Sequence, residues 1–179
     1  MLSDVTSAEL GKRSAAAKAV EFVKTGMILG LGTGSTTSYF VDFLSKRIAR
    51  EGLEVLCVPT SKITLNQAAS LNIPLTSLEK VHSIDLVVDG ADEFDHDLNM
   101  IKGGGGALLQ EKIVAAASKL MVVITDSSKE SLSLGRFDLP VEIIKFGSNS
   151  TKNLIERTLE TIGYRDIAIR YRKNKNNEN

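Results

Sequence analysis

Short runs of continuous apolar residues alternate along this chain with stretches of helical periodicity. Residues 27–31, 53–58, 84–88 and 121–125 have the length and apolar continuity of strands buried on both faces. Between them, residues 36–50, 62–71 and 107–120 repeat apolar positions at helical spacing. Residues 7–25 form a further helical pattern with Ala, Val and Phe on one face and Lys and Arg on the other, and Gly26 stops it before the first strand. Strands and helices in alternation predict an α/β domain with a parallel sheet covered by helices on both faces.

The texture changes after Asp126. Residues 127–135 are polar and loop-like, 140–146 read as a strand, 150–162 as a helix and 167–171 as another strand. This places a sheet domain at 1–126 and part of a small second domain at 127–179. The tail 173–179, KNKNNEN, has nothing to bury and is expected to fray. A chain of 179 residues suffices for one sizeable core and a small appendage.

Charge and cysteine content narrow the partners. Lys plus Arg and Asp plus Glu each number 22, so no net charge draws the chain to nucleic acid or an anionic membrane. The basic cluster between Arg165 and Lys175 is short, interspersed with Asn, and reads as a solvated surface. Cys57 is the one cysteine, which excludes an intramolecular disulfide, and its apolar surroundings predict a buried, inert thiol. The N-terminus lacks a basic-then-apolar leader, and no apolar stretch approaches the ~18 residues of a membrane span. These features lead to the expectation of a cytoplasmic protein.

Three segments carry candidate chemistry, and each sits where a strand ends, which is where open α/β sheets bind ligands. The first is GLGTGSTT (30–37). Its glycines allow close backbone approach, and the N–H groups at a helix start, with the hydroxyls of Ser35, Thr36 and Thr37, suit an anion such as phosphate. A dinucleotide fingerprint would need Gly where Ser35 stands, and a P-loop would need Lys after Gly34. The bland alternative is a plain turn whose hydroxyls cap the helix. The second segment is VVDGADEFD (87–95). Closely spaced carboxylates resist ionising together, so one of them becomes a usable acid or base near neutral pH. Asp89 and Asp92 lie closest to the strand end. Glu93, Asp95 and Asp97 read as solvated acids or caps. The acids do not fit a calcium-loop pattern, and His82, His96 and Cys57 form no zinc pattern, so no metal site is expected. In the third segment, IKGGGGALLQEK (101–112), a run of four glycines separates Lys102 from Glu111. A lysine can hold a developing oxyanion and a glutamate can act as general base. The alternative is a linker flanked by two surface charges.

Together the segments resemble the type A ribose-5-phosphate isomerases. The matching strings are GLGTGSTTSYF (30–40), VDGADEFD (88–95) and KGGGGALLQEKIVA (102–115), supported by VPTS (58–61), IPLTSL (73–78) and LPVEI (139–143). The resemblance implies a Rossmann-like parallel-sheet domain with a smaller α+β domain, and neither metal nor organic cofactor. It implies aldose–ketose isomerisation of ribose 5-phosphate and ribulose 5-phosphate through an enediol(ate), in the pentose phosphate pathway. Carried over residue by residue, Glu111 is similar to the family's base, Asp89 to the ring-opening group, Asp92 to a hydroxyl-positioning acid and Lys102 to the enediolate stabiliser. Thr33, Gly34, Ser35, Thr36 and the glycines 103, 104 and 105 (Gly103, Gly104, Gly105) match substrate-binding positions, and Lys12 and Lys129 match basic residues near the phosphate. The partner implied is a pentose phosphate, with the chain in a homo-oligomer, a dimer first.

The family pattern continues past the equivalent of Tyr171, so the small domain is expected to be incomplete here. Two other readings stay open at this point. A related enzyme of the CoA-transferase or sugar-phosphate deaminase kind would use Glu111 as a nucleophile or need a catalytic histidine. A sugar-phosphate sensor domain would keep the first loop without needing Lys102 and Glu111.

Overall fold

The computed structural model describes residues 6–172. In chain order its strands are β1 (Ile28–Leu31), β2 (Leu56–Pro59), β3 (Leu86–Asp89), β4 (Glu93–Phe94), β5 (Met100–Ile101) and β6 (Met121–Val123). The helices are α1 (Ser7–Val20), α2 (Ser35–Glu51), α3 (Lys62–Ser70), α4 (Leu108–Ala116) and α5 (Ser148–Thr161). The tail 173–179 lies outside the described residues.

Four strands form one parallel sheet in the order β2-β1-β3-β6. Neighbouring residues of β3 face opposite sides, as the two-residue period of a strand requires. Leu86 and Val88 join one apolar cluster with Leu29 and Leu31 of β1, Ala16, Ala19 and Val20 of α1, and Phe40, Val41 and Leu44 of α2. Val87 belongs to a second cluster with Ile84, Val58 and Val114 of α4. The sheet is therefore covered on both faces, and each fully buried Leu or Val contributes about 1.5–3 kcal/mol. This is the α/β architecture expected from the alternating pattern.

Local signals set the helix ends. Thr6 caps α1, its hydroxyl accepting the Glu9 N–H at 3.3 Å, a cap worth roughly 1 kcal/mol. At the other end of α2, Gly52 adopts the left-handed conformation and donates its N–H to Ile48 O at 2.9 Å. The first helix stops at Val20, before Gly26, and α4 stops at Ala116, short of Leu120. After Ala116 the Ala117 carbonyl accepts the Ile84 N–H at 2.9 Å, so the chain has already turned to join the sheet.

The acid-rich segment after β3 is more ordered than a loop. Its residues Glu93 and Phe94 pair antiparallel with Ile101 and Met100, forming the small β4–β5 ribbon. The Asp92 N–H extends the pairing to Ile101 O at 2.9 Å. The ribbon thereby sets Asp92 beside Lys102.

The chain divides after Pro140 into two compact units, later than the boundary expected at residue 126. The Ser131 N–H donates to Phe94 O at 2.9 Å, and the Gly135 and Arg136 N–H groups donate to Glu93, which ties this stretch to the sheet unit. In the second unit α5 forms near its expected limits, but the strands expected at 140–146 and 167–171 do not. Both segments carry the apolar residues of a strand. A strand, however, is held by a ladder of a neighbour's N–H and C=O groups, and neither segment is part of a β ladder among the described residues. Ile144, Phe146 and Leu154 accordingly stay exposed.

Candidate active site

Asp89 is the last residue of β3, and Gly32 follows the last residue of the adjacent strand β1. The carboxyl ends of these two central strands bring the first two segments together. Asp89 is 1% exposed, and its Oδ1 accepts N–H groups from Thr33 at 3.1 Å and Gly90 at 2.8 Å. A Cβ on Gly32 would lie 2.6 Å from Asp89 Cα, so only glycine lets the first loop pass this close.

Lys102 joins the third segment to the other two. Its Nζ donates to Asp89 Oδ2 at 2.9 Å and to the Gly90 carbonyl, and lies 3.6 Å from Glu111 Oε2. One ammonium thus stands between two carboxylates. Glu111 occupies the first turn of α4 and is 5% exposed. Burial lifts its pKa above the ordinary glutamate value, and the Asp89 charge adds to the rise. Lys102 opposes both through its charge and its hydrogen bond, and Asp92 adds a smaller rise. The result is a carboxyl group whose proton affinity exceeds that of a solvated glutamate.

Asp92 is held from the glycine run. The Gly104 N–H donates to Asp92 Oδ2 at 2.7 Å, and a Cβ on Gly104 would lie 2.6 Å from Asp92 Oδ1. Here the glycine is required by close approach to an acid. Gly103 is buried and Gly105 exposed at the same turn.

The first loop rests on a hydroxyl layer that sequence reading missed. The Thr33 hydroxyl meets the Thr60 hydroxyl at 2.8 Å and that of Thr64 at 3.3 Å. Thr60 and Thr64 in turn donate to the carbonyls of Leu31 and Gly32. Both residues are buried. The string VPTS (58–61) was the available signal, but it contains no feature that distinguishes a supporting hydroxyl from a helix cap. Ser61 is in fact the cap, accepting the Thr64 N–H at 3.2 Å. Gly34 and Ser35 are exposed at the start of α2, with Thr36 buried beside them.

The two further lysines gather around another acid. Asp126 accepts the hydroxyl and N–H of Ser128, and with Lys12 and Lys129 adding their charges it is held below the usual carboxylate range. Lys12 lies 3.7 Å from Glu9, which also receives the Tyr39 hydroxyl of α2. Lys129 and Arg136 line a cavity of about 300 Å³ with Asp92, Glu93, Ser128 and Phe137. Glu93 corrects an expectation: it is 1% exposed, not solvated, and accepts two backbone N–H groups. Asp95 instead behaves as a cap, accepting the Asp97 and Asn99 N–H groups at 3.0 and 2.9 Å.

The fold and site define an α/β protein of Rossmann-like layout, with a lysine-bridged carboxylate centre at the strand ends and a glycine–hydroxyl loop next to it. Residues 56–179 match the family model described as ribose 5-phosphate isomerase A (phosphoriboisomerase A). The chain is 54% identical over 146 residues to the ribose-5-phosphate isomerase A of Lactococcus lactis subsp. cremoris, covering 82% of this chain and 65% of that one. The chain thus spans just under two thirds of that relative. The solved ribose 5-phosphate isomerase A of Methanocaldococcus jannaschii aligns with a TM-score of 0.79 at 41% identity, covering 88% of this chain and 68% of that one. A D-ribose-5-phosphate isomerase in complex with phospho-erythronic acid aligns at 0.85 and 34% identity, covering 97% and 73%. The chain belongs to the ribose 5-phosphate isomerase A family.

Proposed function

We propose that the chain interconverts D-ribose 5-phosphate and D-ribulose 5-phosphate, acting as an intramolecular oxidoreductase of pentose phosphate metabolism. The observation that carries the reading is Lys102 set between Asp89 and Glu111 at the ends of the strands. An aldose–ketose exchange needs a base for the proton α to the carbonyl and a cation for the oxygen that becomes negative.

In this mechanism Asp89, an acceptor of hydrogen bonds, takes the proton of the anomeric hydroxyl as the C1–O4 bond of the furanose breaks, and hands that proton to O4 to complete the open-chain aldehyde. Glu111 then removes the proton from C2. The electron pair forms the C1–C2 double bond and the carbonyl oxygen takes up negative charge, which Lys102 neutralises. The O2 proton passes to O1, and the Glu111 carboxyl group returns its proton to C1, leaving the ketone at C2. Asp92 holds a sugar hydroxyl. Thr33, Gly34, Ser35 and Thr36, with Lys12 and Lys129, anchor the phosphate, and Gly103, Gly104 and Gly105 shape the wall beside the sugar. Binding energy from the phosphate end then positions the reacting carbons. The relative solved in complex with phospho-erythronic acid, a phosphorylated sugar acid, supports this substrate class.

A cytoplasmic homo-oligomer, a dimer first, belongs to the same proposal. The unpaired, buried Cys57 supports a reducing compartment, and exposed apolar residues such as Phe146 and Leu154 support association. Among the described residues no helix is long and apolar enough to cross a membrane.

The test is turnover of ribose 5-phosphate by the chain in deuterated water. The reading expects ribulose 5-phosphate carrying solvent deuterium at C1 in the fraction of turnovers in which the proton held by Glu111 exchanges with solvent before it is returned. No turnover, or turnover with wholly retained substrate hydrogen at every substrate conversion level, counts against base-mediated enediol chemistry.

A further inference from the structure

A buried carboxylate is costly unless strong donors replace its water, so a glutamate at 1% exposure on a two-residue strand requires a reason. Glu93 has such donors. Its Oε2 accepts the Gly135 N–H at 2.8 Å, and its Oε1 accepts the Arg136 N–H at 2.9 Å. The Arg136 guanidinium lies 3.9 Å from the same carboxylate, and its Nη2 donates to Ser128 O at 3.1 Å. That bond closes the stretch 128–136 on itself at the residue next to Lys129.

The location of this clamp gives it a consequence for the site. On one side of Glu93, the β4–β5 ribbon leads to Asp92 and Lys102. On the other, the next residue Phe94 pairs with Glu130, and its carbonyl accepts the Ser131 N–H at 2.9 Å. Glu93 thus joins the ribbon next to Asp92 to the loop that carries Lys129. Asp92, Lys129 and Arg136 line one cavity of about 300 Å³ as a result.

The geometry points to Glu93 as a positioning residue that holds Lys129 and Arg136 against the Asp92 wall, fixing the anionic end of the substrate without touching the Asp89–Lys102–Glu111 centre. This inference rests on the isomerase reading. A purely structural clamp would lower stability alone. A positioning clamp moves substrate binding and leaves the chemical step in place.

The experiment compares the unsubstituted chain with Glu93→Gln, which keeps one acceptor oxygen and loses the charge, and with Glu93→Asp, which keeps the charge but draws it back. Steady-state kinetics with ribose 5-phosphate are paired with amide hydrogen exchange read residue by residue. We expect KM to rise about tenfold or more in Glu93→Gln, with kcat within about threefold, because a charge-assisted bond is lost only from the anchoring wall. Exchange at Gly135, Arg136 and Lys129 accelerates, while the amides of β1 and β3 keep their protection. Unchanged KM, an equal fall in kcat, or acceleration that stops short of Lys129 overturns the proposal. If Glu93→Gln does not fold, the same criteria apply to Glu93→Asp. If the unsubstituted chain shows no turnover, the isomerase reading fails and the substrate-binding part of the claim falls with it, while unchanged exchange at Lys129 in Glu93→Gln overturns the clamp itself.

Discussion

Replacing Lys102 with Met tests whether one ammonium holds two buried carboxylates together. At 2.9 Å from Asp89 and 3.6 Å from Glu111, the gross attractions are about 6 and 5 kcal/mol at an effective dielectric constant of ~20. Desolvation offsets much of this, and loss of one partner from a buried pair typically costs about 3–5 kcal/mol. Lys102 is 16% exposed and its acids are nearly inaccessible, so the buried figure applies in place of the surface one. The loss has a pH signature. Without the cation, the pKa of Glu111, already raised, rises further. Between the unfolded and folded pKa values the native state then binds the extra proton, so its stability increases as pH falls. Urea unfolding of Lys102→Met is therefore expected to show a penalty of about 3–5 kcal/mol at pH 7.5 that shrinks toward pH 5. Its turnover falls about 10²–10³-fold, the scale for a lost oxyanion partner. A penalty under about 1 kcal/mol, or one independent of pH, refutes the argument that the pair is shielded from solvent.

Two further substitutions or probes follow from particular contacts. Gly32→Ala forces a Cβ to 2.6 Å from Asp89 Cα, so we expect a loss of at least about 1–3 kcal/mol by chemical denaturation, together with reduced turnover because Asp89 must shift. Burial pushes the Cys57 thiol up to about 12, so a thiol-selective chromogenic reagent at pH 8 is expected to label the folded chain slowly and the denatured chain at once.

The grouping proposed as the site was legible in the sequence where residue type alone carried the signal. Asp89 and Lys102 each stand beside a glycine, Glu111 lies in the first turn of the helix after the glycine run, and the structure joins them through one ammonium group. The central sheet was legible because strands buried on both faces are apolar throughout. Glu93 was not legible, since its partners are backbone N–H groups some forty positions away, and backbone donors leave no trace in residue type. The β4–β5 ribbon is two residues per strand, too short for any alternation to register. The missing strands at 140–146 and 167–171 illustrate the converse. Their apolar content was read correctly, but strand formation depends on a pairing neighbour that sequence pattern does not specify.

The central claim is that Glu111 moves the proton, and Glu111→Gln tests it most directly. Because burial raises the pKa of this carboxyl group, its ionised form opposes folding above that pKa. The variant should then unfold at the same or higher denaturant concentration at pH 7.5, so that loss of activity cannot be assigned to loss of structure. We predict that kcat/KM for ribose 5-phosphate falls by at least about 10²–10⁴-fold, while the unsubstituted chain shows an acidic limb centred above the ordinary glutamate value of 4.5. A folded Glu111→Gln within about threefold of the unsubstituted chain would contradict the account.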